Sequence, residues 1–113
     1  MLPGVSSDAI VEALQQLKAT PAPTAAALDG ELVATLERLR VLVRRESLDW
    51  KRQRLRFVLN EVAAARDALG RREPDAAQFQ ALLEDALKHY GEYGRDEAPR
   101  PWFEASEEGM RVD

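Results

Sequence analysis

One histidine and no cysteine occur in the 113 residues of this chain, and those two counts remove most site chemistry at the outset. Without thiols there can be no disulfide framework, thiolate zinc site, iron–sulfur ligation or cysteine nucleophile. A single imidazole excludes any site needing two from one chain. His89 has Asp85 four residues before it, on the same helical face, and Glu92 close by. That is the one place where an acid–base pair or a metal pair could form. Metal sites in helical bundles draw several inward carboxylates and histidines from different helices, often as paired Glu-x-x-His motifs, and that pattern does not occur here. Nor does a glycine-rich phosphate loop or a Gly-x-Ser-x-Gly elbow. The expectation is a non-enzymatic protein with no cofactor and no metal.

Charge is the stronger feature. Between positions 38 and 56 stand eight cations (Arg38, Arg40, Arg44, Arg45, Lys51, Arg52, Arg54 and Arg56) against two acids, a local net of +6 in a chain whose overall charge is −4. A block of this kind can engage an acidic protein surface, a phosphate backbone, anionic lipid headgroups, or the acidic ends of its own chain or of a second copy. Nucleic acid is the poorer fit. The aromatics of the block, Trp50 and Phe57, fall on an apolar stripe rather than alternating with the cations as a base-stacking surface would require.

Those aromatics belong to a larger pattern. Residues of an α-helix advance about 100° each. Counting from Leu28 puts Leu32, Leu36, Leu39 and Val43 on one narrow stripe, and an unbroken count adds Trp50 and Phe57 to it. Roughly opposite runs a second stripe with Leu48, Leu55, Val62 and Leu69 strictly seven apart and Val58 and Ala65 between them, the spacing of a heptad seam. A helix with two apolar faces needs neighbours on both sides. In so short a chain a second copy is the economical neighbour, so a homodimer is expected, with Trp50, Phe57, Leu48, Leu55, Val62 and Leu69 as its core and self-association faces.

The elements that must position these residues are helices. Glu31 to Leu69 contains no Gly or Pro and is rich in Leu, Arg, Glu and Ala, the strong helix formers. No two-residue periodicity suggests a strand. The fold class is all-α: a small helical bundle on a long central helix over about 31–69, either continuous or kinked or broken near 46–48. A short first helix over about Asp8–Lys18 is capped by Ser6 or Ser7 and followed by an extended Ala19–Ala27 linker. A last helix over about 76–93 starts at the Asp75 cap and stops at Gly91 or Gly94. Residues 1–94 read as one domain.

Residues 95–113 read as an irregular tail with Pro99 and Pro101, several acids, and Trp102 and Phe103 as apolar anchors. Such a segment either docks on a partner or folds back on its own bundle, and fold-back is favoured because adjacent aromatics are costly to leave in water. No apolar run approaches the roughly 20 residues needed to span a bilayer, and the N-terminus lacks a signal-peptide pattern. A cytoplasmic location is expected. The function expected is that of an interaction, assembly or adaptor module that self-associates through its long helix and offers the basic block to a macromolecule. An accessory protein for nucleic acid is the alternative.

Overall fold

Side-chain caps start two of the described helices. The computed structural model describes residues 5–95. Within them lie α1 (Val5–Ala19), α2 (Ala25–Arg45), α3 (Asp49–Gly70) and α4 (Ala76–Tyr93). Thr24 accepts a hydrogen bond from the Ala27 N–H at 3.1 Å, which starts α2. Asp75 does the same for the Gln78 N–H at 2.9 Å and starts α4. The tail residues Trp102 and Phe103 lie outside the described residues.

Three sequence expectations need correction. The first helix begins at Val5, so Ser6 and Ser7 lie inside it rather than capping it. The central helix does not wait until about 31 to begin. Thr24 caps early enough that Gly30 sits within α2, where a Cβ would meet nothing within 4 Å. Most importantly, the central helix over 31–69 is not continuous: it takes the broken form, two helices with a corner at 46–48. Glu46 and Leu48 both take extended backbone, at φ −78°, ψ 125° and φ −85°, ψ 125°.

The reason for the break is burial. A hairpin lets Leu32, Leu36 and Leu39 of α2 join Leu55, Val58, Val62, Ala65 and Leu69 of α3 in one cluster, whereas a straight helix would leave much of both stripes in water. Burying a large aliphatic side chain is worth about 1.5–3 kcal/mol. A helical hydrogen bond given up to solvent nets only about 1 kcal/mol. Several leucines therefore outweigh the few bonds lost at the corner.

In the bundle, α3 packs most extensively against α4 and next against α2, while α1 lies on α4 and touches α2. From α1 the core receives Ile10, Leu14 and Leu17, and from α4 Phe79, Leu83, Ala86 and Tyr90. At the end of the α2–α3 hairpin away from the corner, Arg66 clamps Asp29 at 2.6 and 3.2 Å, across 37 residues of sequence. The mutual hydrogen bond holds the Asp29 carboxyl below its usual range and raises the arginine. Among the described residues no helix is long and apolar enough to cross a membrane.

The seven-residue spacing conceals a difference in burial. Leu55, Val62 and Leu69 are buried, but Leu48 precedes α3 at the corner and is 48% exposed. Leu55→Ala is therefore expected to cost about 2–5 kcal/mol by chemical denaturation. Leu48→Ala should stay within about 0.5 kcal/mol. Equal costs would mean that the two positions share one environment.

Candidate functional site

The eight cations of the basic block separate into two groups once the corner is built. Arg52 is part of the corner. Its Nε and Nη2 donate to the Glu46 carbonyl at 3.2 and 3.0 Å, Nη2 reaches the Ser47 carbonyl at 3.5 Å, and Nη1 pairs with Asp49 at 3.1 Å. Carbonyls at the end of a helix have no partner of their own, and a cation there also complements the helix dipole. Glu46 completes the turn by accepting the Leu48 N–H at 3.1 Å.

Arg54 is buried, at 7% exposure. Its Nε lies 2.9 Å from Glu92 Oε1 on α4, an ion pair that falls short of a directed hydrogen bond, and its guanidinium sits 5.7 Å from the Phe57 ring centre. Lys51 places its ammonium 5.6 Å from the Trp50 ring and 5.5 Å from the Tyr93 ring, within cation–π range of both. Thus the end of α4 stands beside the start of α3. Burial, with smaller effects from Tyr90 and Glu46, raises the Tyr93 phenol above its ordinary value.

The remaining cations face solvent. Arg38, Arg40, Arg44, Arg45 and Arg56 are exposed. Arg40 has an exposed pair with Glu37 at 3.1 Å, which holds it only loosely. The other four form no ion pair with a described residue. Because α2 and α3 run antiparallel with Asp29 against Arg66, positions 40 and 44 lie level with the first turns of α3. Cations from both helices therefore gather at one end of the hairpin. Among the described residues, Leu48 in the corner itself and Phe57, 36% exposed on the α4 side of α3 against His89, are the large hydrophobic side chains open to solvent, and Trp50 is half-buried.

Along the α3–α4 contact runs a second polar group. His89 Nδ1 lies 2.9 Å from Glu61 Oε1, and the imidazole stands 5.3 Å from the Phe57 ring. So His89 is bonded to Glu61 on α3, not to Asp85 on its own helix. Burial raises Glu61 above the usual carboxylate range, partly opposed by the His89 hydrogen bond and charge, while the charges of Asp85 and Glu92 add to the rise. The described residues contain no group of three or more His, Asp and Glu that could hold a metal ion.

Arg54, Glu61 and Glu92 were not visible as a unit from the sequence. One signal was present: on the helical count from Leu28, Arg54 falls at about 80°, between the two apolar stripes, where a cation has to be buried or bridged. Comparisons with protein-family models, with curated proteins and with solved structures found no match.

Glu61 makes a pH prediction. Its folded-state pKa is raised, so the folded chain holds the proton more firmly, and this contribution to stability is present at low pH and lost as pH rises through the folded value. The unfolding midpoint of the wild type relative to Glu61→Gln should therefore increase as pH falls from about 7 towards about 4, the ordinary glutamate range. A difference that decreases over that range would show that the His89 bond outweighs burial.

Proposed function

We propose that this chain is a non-enzymatic interaction module whose α2–α3 corner engages an acidic protein surface. One observation carries the reading: four exposed arginines (Arg38, Arg44, Arg45 and Arg56) without an acidic partner among the described residues, on the two helices that meet at the corner holding the exposed Leu48. Arginine and aromatic side chains are the residues that most often dominate binding energy at protein interfaces. Exposed cations also steer an acidic partner in from a distance. The exposed apolar residues favour protein over nucleic acid, because a phosphate backbone has little use for a leucine.

Self-association is the second reading, and it too has a supporting observation. Outside 38–56, the stretches 1–37 and 57–95 carry 12 acids and six bases, so another copy offers a complementary surface. Its geometry has to differ from a seam along one long helix. The Leu55, Val62 and Leu69 face is filled from within the chain, leaving the corner with Trp50 and Phe57 for a partner.

The test is binding of fluorescent poly-L-glutamate and of duplex DNA to the wild type and to the triple variant Arg44→Glu, Arg45→Glu and Arg56→Glu, with sedimentation of both proteins. Polyglutamate binding is expected to weaken at least tenfold in the variant, while its unfolding midpoint moves by no more than a few degrees, as exposed substitutions usually allow. Unchanged polyglutamate binding would remove the corner as the site. Tighter DNA than polyglutamate binding would favour the nucleic-acid alternative, and a mass of two chains that falls to one in the variant would establish the homodimer.

A further inference from the structure

The distribution of charge in the whole chain points to a regulator of this corner. Residues 1–95 contain 14 bases and 14 acids, and residues 96–113 contain six acids and two bases. The overall −4 is thus carried entirely by the last 18 residues. This acidic segment also contains Trp102 and Phe103, so it combines negative charge with large apolar side chains, the complement of the exposed arginines and of the exposed Leu48 and Phe57.

Connectivity starts the segment at this end of the bundle. It follows α4, whose last residue, Tyr93, lies under the Lys51 ammonium in the first turn of α3. From Arg95 to Trp102 an extended chain reaches at most about 25 Å, and Trp50 and Phe57 are separated by about 10 Å along α3. The reach is ample without crossing the molecule.

We infer that the acidic segment 96–113 docks in cis on the α2–α3 corner and competes there with the acidic partner. This rests on the reading of the corner given under Proposed function. Trp102 and Phe103 cover the Leu48–Trp50–Phe57 edge, and the carboxylates of Glu104, Glu107 and Glu108 meet Arg44, Arg45 and Arg56. A segment tethered beside its site has an effective concentration in the millimolar range, so a chain's own tail outcompetes that of a second copy at ordinary protein concentrations. The corner is then a masked site, opened by a partner of higher affinity or by salt.

The absence of cysteine makes the experiment direct. A nitroxide attached to Ser106→Cys in the full chain is expected to broaden the backbone amide signals of residues 44–57. The broadening should be absent when unlabelled ¹⁵N chain is mixed with spin-labelled ¹⁴N chain, and should be lost when Glu104→Gln, Glu107→Gln and Glu108→Gln are introduced. The neutralised chain should also bind polyglutamate about tenfold more tightly, as expected if the docked state masks nine sites in ten. Broadening confined to the neighbours of position 106 and the end of α4 would overturn cis docking. Broadening in the mixed sample would overturn it in favour of a second copy. The two readings fail separately: polyglutamate binding abolished by the arginine reversals, without broadening at the corner, leaves the interaction surface and removes its mask. Broadening at the corner in a chain that binds no polyglutamate even when neutralised upholds the docked segment and removes the partner.

Discussion

Arg52 reaches back across the α2–α3 corner and donates to the Glu46 and Ser47 carbonyls while pairing with Asp49. With neither glycine nor proline at the corner, these bonds and the Glu46 carboxylate on the Leu48 N–H are what satisfy the exposed backbone there. The rest of the architecture depends on this turn. It lays the Leu32, Leu36 and Leu39 stripe against α3, and it brings Asp29 to Arg66. The opposite flank of α3 is left for α4, and the polar contacts Arg54–Glu92 and Glu61–His89 lie along that flank.

The same turn decides which cations are available for binding. A run of basic residues along a straight helix would spiral around it and present no single surface. Folding the run at its middle consumes Arg52 in the turn and Arg54 in the bundle, and it collects the others at one end. Arg52 and Arg54 thus hold the fold, whereas Arg38, Arg44, Arg45 and Arg56 are presented to solvent. Removing Arg54 would leave Glu92 partly buried without its counter-charge, a stability effect, while removing Arg44 touches no described ion pair. The difference between the groups arises from burial and connectivity, not from residue type.

Much of the fold was legible in the sequence. The all-α class follows from composition and spacing, and the last helix is placed at 76–93 because Asp75 gives a cap and Phe79, Leu82, Leu83, Ala86, Leu87, Tyr90 and Tyr93 give a face, of which Phe79, Leu83, Ala86 and Tyr90 are buried. The α2–α3 break was not fixed by local signals. Good helix formers run through it, Leu48 at the start of α3 offers no side-chain cap, and the element holding the turn is an arginine that the sequence shows only as part of a charged block. Gly30 misled in the opposite sense, since a glycine within an exposed helical turn costs only about 1 kcal/mol relative to alanine and need not end a helix. The α3–α4 polar contacts were illegible because they join residues 28 to 38 positions apart, Glu61 to His89 and Arg54 to Glu92, and only the turn between the two helices sets that pairing.

The central claim is that residues 25–70 form a hairpin, and a distance measurement tests it most directly. Nitroxides at Gly30→Cys and Asp67→Cys, both at exposed positions of a chain with no native cysteine, report the separation of α2 and α3 by pulsed electron–electron resonance. Adjacent antiparallel helices have axes about 8–10 Å apart, and with the label arms added the distribution should centre near 20 Å. A continuous helix would hold the two positions about 55 Å apart at 1.5 Å per residue. A distribution centred there would contradict the corner, and with it the separation of structural from presented arginines.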